Sequence, residues 1–139
     1  MELSDITTPA LAYLGDSVLE VCVRAYLVTE RGLSTSAHLN RASLDFVRAS
    51  AQSEAFGRME PYLTEAEAAV FRRGRNMGHG NVPKSASVSE YRRATGMEVL
   101  FGYLHLTGQT ERMNYLFRVG YGLESPEHSN TLQAGETQT

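Results

Sequence analysis

Apolar residues recur at three- and four-residue spacing along most of the chain. Leu14, Val18, Val21, Cys22 and Ala25 share one face of a helix predicted over residues 10–30, which Gly32 closes as a left-handed terminal glycine. Leu39, Ala42, Phe46, Ala49, Ser53 and Phe56 keep the same period in one helix, from the cap candidates Ser34, Thr35 and Ser36 to a stop before Pro61. Thr64-Glu65-Ala66-Glu67 spells a capping box, and the helix behind it carries Ala68, Val70 and Phe71 to an end near Gly74. Residues 74–86 hold glycines, asparagines and Pro83 and read as a loop. A second capping box, Ser87-Val88-Ser89-Glu90, opens a helix through Tyr91, Ala94, Thr95, Glu98, Phe101 and Leu104 that stops at Gly108. A last helix takes Met113, Leu116, Phe117 and Tyr121 and meets Gly120 and Gly122. From Glu124 onward the chain is polar without periodicity, which predicts a mobile tail. No alternating strand pattern and no repeat is visible, so the expected fold is an all-α helical bundle.

The helix over 10–30 is apolar on more of its circumference than one core needs. Leu11, Leu14, Leu19 and Tyr26 are therefore expected to be partly available to a partner, and a twofold homodimer follows.

At 139 residues, 42% hydrophobic and 21% charged, the chain has the length and composition of one soluble domain. No apolar run reaches the ~18 residues of a membrane span, and the first residues lack the basic segment of a signal peptide. The single Cys22 excludes an internal disulfide and a multi-cysteine zinc site, which fits a cytoplasmic home. Net charge is −3, but it is unevenly placed. Residues 72–93 carry Arg72, Arg73, Arg75, Lys84, Arg92 and Arg93 against Glu90 alone, a net +5, while the other seven basic and fifteen acidic residues leave −8. This window reads either as a surface facing a polyanion or as a solvated loop between helix ends.

Two carboxylates stand out because their neighbours are apolar. Asp16 follows Gly15 within Leu11-Ala12-Tyr13-Leu14-Gly15-Asp16-Ser17-Val18-Leu19, and Glu98 lies within Gly96-Met97-Glu98-Val99-Leu100-Phe101. A lone ionised acid in such surroundings is costly unless a cation, a metal or hydrogen bonds compensate it. Asp16 could pair with an arginine such as Arg24, Glu98 could be satisfied by Tyr91 or an arginine, or the two could meet at one metal. Oxygen ligands without a cysteine cluster favour Mg²⁺ or Mn²⁺ over zinc. His38, His79, His105 and His128 show no ligand spacing, and Cys22 lies on the apolar helical face.

The combination resembles a known family. Leu14-Gly15-Asp16-Ser17-Val18-Leu19 resembles the central helix motif of ribonuclease III catalytic domains, and Met97-Glu98-Val99-Leu100-Phe101-Gly102 resembles a later helix of the same fold. The blocks at residues 11–16, 73–76, 83–84, 91–92 and 95–104 resemble, in order and spacing, those of Mini-ribonuclease III, the compact bacterial branch that lacks a double-stranded RNA-binding domain. The resemblance implies an all-α ribonuclease III-like catalytic domain over 1–122, a polar tail over 123–139 and a homodimer. It implies that Asp16 and Glu98 are the catalytic and metal-binding acids. The ordinary ribonuclease III pattern carries further acids where this chain has Pro9, Ala12 and Thr95, a departure shared with the compact branch.

The expected activity is a Mg²⁺-dependent endoribonuclease, with Mn²⁺ as a substitute, cutting double-stranded RNA and maturing precursor 23S ribosomal RNA. Arg72, Arg73, Arg75, Asn76, Lys84 and Arg92 are the expected RNA contacts, since duplex RNA is read through shape, phosphates and 2′-hydroxyls. The rival reading is a non-catalytic all-α dimer that binds structured RNA or a ribosomal protein.

Overall fold

The computed structural model describes residues 3–78, 84 and 86–126. Expectations for His79, Gly80, Asn81, Pro83 and the tail over 127–139 lie outside the described residues. Within them the chain forms α1 (Thr8–Thr29), α2 (Ser36–Val47), α3 (Ala49–Met59), α4 (Glu65–Arg75), α5 (Val88–Leu106) and α6 (Thr110–Gly120), with 3-10 turns at Leu3–Asp5 and Glu60–Tyr62.

The helix ends follow from local chemistry. Thr7 accepts from the Ala10 amide and Thr35 from the His38 amide, each at 3.2 Å. Both expected capping boxes form, with Thr64 and Glu67 exchanging two hydrogen bonds and Ser87 and Glu90 doing the same. Gly32 and Gly108 end α1 and α5 at φ +64° and +71°, a conformation that a side chain disfavours.

The helix expected to run unbroken from the Ser34–Ser36 caps to Pro61 is two helices. Arg48 is extended, at φ −63° and ψ 146°, and separates α2 from α3. The reason is tertiary. The Tyr121 hydroxyl donates to the Phe46 carbonyl at 2.7 Å, and the Phe46 ring sits among Tyr26, Phe117 and Tyr121. The last turn of α2 is thus fixed to α6, and the chain must turn to bring α3 onto α5.

Helix α5 is the axis of the fold. Ala94–Met97, Val99–Gly102 and Leu104 are all buried, so its apolar character runs round the helix rather than along one stripe. Helix α1 crosses it antiparallel at a seam of two glycines. A methyl group on Gly15 would overlap the Glu98 carbonyl, and one on Gly102 would overlap the Leu11 carbonyl. Only glycine permits this backbone-to-backbone approach.

The seam corrects the expected partner face of α1. Leu11 and Leu19 are 0% and 2% exposed and belong to the core, and Leu14 and Tyr26 are half-buried. The outward apolar residues of α1 are Tyr13, Val21 and Val28, at 84%, 66% and 53% exposure.

At the far end, Glu67 and Arg112 make a buried pair. Arg112 donates to both carboxylate oxygens at 2.8 Å and to the Tyr62 carbonyl, tying α6 to the start of α4. Burial alone would raise the Glu67 carboxyl, but the Arg112 bonds and the Thr64 amide hold it net below its ordinary range. Leu123 packs on the core, Glu124 pairs with Arg118 at 3.4 Å and the Pro126 carbonyl accepts from Tyr115. These residues, expected in the tail, are tied to α6.

Candidate active site

The glycine seam brings the two lone acids together. Asp16 follows Gly15 on α1, and Gly15 lies against the Glu98 backbone on α5, so the two side chains leave the same crossing. They lie within hydrogen-bonding reach, with Asp16 exposed and Glu98 half-buried. Burial, then the negative charge of Asp16 and a hydrogen bond to it, together raise the Glu98 carboxyl to about 8. Arg24, the alternative partner for Asp16, pairs instead with Glu20 at 3.4 Å. Among the described residues no arginine, lysine or histidine forms an ion pair with Asp16 or Glu98.

This donor set fits a hard divalent cation. Two carboxylates that repel each other are relieved by a shared positive charge, and the exposed Asp16 side leaves room for water ligands. No group of three His, Cys, Asp or Glu side chains clusters among the described residues, so water would complete the coordination that Asp16 and Glu98 begin.

The basic window divides in space. Arg75 lies over the Phe71 ring at 5.9 Å, and its Nε donates to Asn76 Oδ1 at 3.1 Å. Arg75 and Asn76 from the end of α4 face Val88, Ser89, Arg92 and Arg93 from the start of α5 across one cleft. Arg92 is six residues before Glu98, which places it about 9 Å away along the helix axis. Arg72 and Lys84 are exposed and stand outside the cleft lining. The Arg73 guanidinium donates to Thr8 Oγ1 at 3.0 Å and thereby joins α4 to the first turn of α1. Arg93 and Ser89 were not among the expected contacts, although Arg93 directly follows Arg92 in sequence.

Residues 9–109 match the ribonuclease III domain family, and this stretch contains both acids. A Mini-ribonuclease 3 from Clostridium tetani is 34% identical over 129 residues, covering 93% of this chain and 85% of the relative. One from Symbiobacterium thermophilum is 50% identical over 105 residues, covering 75% of this chain and 79% of the relative. The chain belongs to the ribonuclease III family. Within it the chain groups with the Mini-ribonuclease III branch and is an endoribonuclease. A crystal structure of a Fusobacterium nucleatum protein shares the fold, with TM-score 0.75 and 26% identity over 83% of this chain and 91% of the other.

In this chain the positions that carry further acids in the ordinary ribonuclease III pattern are put to structural use. Pro9 stands in the first turn of α1, and Ala12 packs beside Leu11, Val70 and Val99. The buried Thr95 hydroxyl donates back to the Tyr91 carbonyl at 2.9 Å. None of the three presents a carboxylate.

Proposed function

We propose that this endoribonuclease cleaves double-stranded RNA with Mg²⁺ held by Asp16 and Glu98, and that precursor 23S ribosomal RNA in the cytoplasm is its substrate. The observation that carries the reading is the meeting of Asp16 and Glu98 at the Gly15–Gly102 seam, with no protein cation paired to either acid among the described residues. When bound, the metal supplies an acidified water and compensates charge on the leaving 3′ oxygen. Glu98 must give up its proton to serve as a ligand, and Asp16 keeps the open side of the site. Arg75, Asn76 and Arg92 hold backbone phosphates of the duplex in the cleft between the end of α4 and the start of α5, with Arg72 and Lys84 as outlying cations. The rRNA assignment rests on the likeness to Mini-ribonuclease III.

The active form is a twofold homodimer built on α1. Tyr13, Val21 and Val28 are seven or eight residues apart and fall on one outward stripe, an apolar surface suited to an isologous contact. Two sites related in this way can cut both strands.

Cleavage of a duplex RNA with and without Mg²⁺, by the wild type and by Asp16→Asn, tests the proposal. The expected result is metal-dependent cutting by the wild type and loss by orders of magnitude in the variant. Equal rates, or cutting that ignores the metal, overturn it.

A further inference from the structure

Arg93 differs from the other cations of the basic window in how it is held. Its guanidinium lies over the Phe56 ring, 5.8 Å from the centroid. One nitrogen is 3.4 Å from Ser53 Oγ and another 3.8 Å from a Glu60 carboxylate oxygen. Phe56 is itself stacked on Phe71, with ring centroids 3.6 Å apart and planes 8° from parallel, and Phe71 carries Arg75. One aromatic pair from α3 and α4 therefore seats two arginines, and both line the same cleft.

These contacts orient Arg93 without saturating it. A guanidinium has five N–H donors, and the contacts to Ser53 and Glu60 are long. Glu60 is more than half exposed, so its carboxylate can be released to water at little cost. A phosphodiester, by contrast, accepts a charge-assisted pair of hydrogen bonds from such a fork. Ser89, one turn earlier on the same α5 wall, adds a hydroxyl and Arg92 a second charge.

We propose that Arg93 is a phosphate-binding residue held in reserve by Glu60, and that an RNA backbone phosphate entering the cleft displaces the Glu60 carboxylate from it. The inference rests on the double-stranded RNA reading and adds to it a restraint: Glu60 lowers the affinity of the empty cleft for any polyanion. Arg93 binds, Phe56 and Ser53 fix its plane, and Glu60 is the positioning residue whose removal strengthens binding.

The test measures duplex RNA binding by the full-length protein in EDTA across a salt series, for the wild type, Glu60→Gln, Arg93→Gln, Arg93→Lys and the Glu60→Gln/Arg93→Gln double variant. Glu60→Gln is expected to tighten binding about threefold and to steepen the salt dependence. Arg93→Gln is expected to weaken binding about tenfold, and Arg93→Lys less, because lysine keeps the charge and loses the fork. In the double variant the gain from Glu60→Gln disappears, since there is no longer a cation to release. If Arg93 is only a structural brace, Arg93→Gln lowers the melting temperature while the folded protein binds RNA as before, and Glu60→Gln gains nothing; either result overturns the proposal. Arg92→Gln separates the two levels of the reading. Loss of binding there with no effect at Arg93 and Glu60 leaves the RNA cleft in place and removes this proposal alone. A wild type that binds no duplex at low salt removes both.

Discussion

Replacing Glu98 by glutamine is expected to stabilise the metal-free protein at neutral and alkaline pH. Burial, the charge of Asp16 and a hydrogen bond to it raise the Glu98 carboxyl from 4.5 to about 8. The folded state thus holds this proton more tightly than the unfolded chain does. The corresponding stability is complete below the ordinary carboxylate range and is lost as pH climbs through about 8. At pH 7 the ceiling on the loss is about 3 kcal/mol, from 1.36 kcal/mol per unit above the ordinary value. Solvent reaches the Asp16 side of the pair, and screening there reduces the figure to about 2 kcal/mol. Glutamine keeps the shape and can donate to Asp16, so the variant should gain that amount, or roughly 4–10 °C in melting temperature. Thermal unfolding in EDTA at pH 5 and pH 8 reads it directly. The wild type should fall relative to Glu98→Gln between the two values, and saturating Mg²⁺ should restore the wild type alone. Parallel pH profiles for the two proteins would show that the acids do not oppose each other, and the two-acid site would lose its physical basis.

Asp16→Asn should abolish duplex cleavage while leaving circular dichroism and duplex binding intact; near-normal cutting by the folded variant counts against the site. Gly15→Ala should cost about 3 kcal/mol, because the added methyl meets backbone rather than a movable side chain, and a denaturant midpoint equal to the wild type would contradict the seam. Arg112→Ala leaves Glu67 buried without its partner and should destabilise by about 3–5 kcal/mol in urea unfolding at pH 7, with the difference from wild type shrinking as acid protonates Glu67 through its depressed range. Tyr13→Asp should convert the proposed homodimer to a folded monomer in sedimentation; a dimer of unchanged stability would place the interface elsewhere.

Local chemistry made much of this fold legible. The capping boxes at Thr64 and Ser87 form as their sequences spell them, because each is complete within four residues. Gly32, Gly108 and Gly122 take the positive φ values that end helices and turns. The break at Arg48 was not legible: no proline or glycine marks it, and its cause, the Tyr121 hydroxyl on the Phe46 carbonyl, lies 75 residues away in sequence. The outward face of α1 was misjudged for a related reason. When apolar residues surround a helix, periodicity does not say which of them meets the neighbour, and the seam at Gly15 turns Leu11 and Leu19 inward and Tyr13 outward. Charge counting found the basic window but could not divide it. Arg73 is engaged by Thr8 and Arg93 by Ser53 and Glu60, contacts made by residues 33 or more positions away.

The site combines two demands that one helix could not meet. Acids that are to share a metal, as proposed for this pair, must sit close together, and without a cation that proximity opposes folding. Here the opposition is confined to one pair, and the helices that carry it are joined where they pack most closely. Gly15 and Gly102 remove the side chains that would part the backbones, so the positions of Asp16 and Glu98 are set by main chain rather than by flexible side-chain packing. The cations proposed to meet RNA follow the opposite logic. They stand at the end of α4 and the start of α5, where a glycine-rich connection joins the helices and where phosphates must be met over a range of positions. On the proposed reading, the crossing fixes the two acids, while the cations at the helix ends meet a substrate read through shape and backbone.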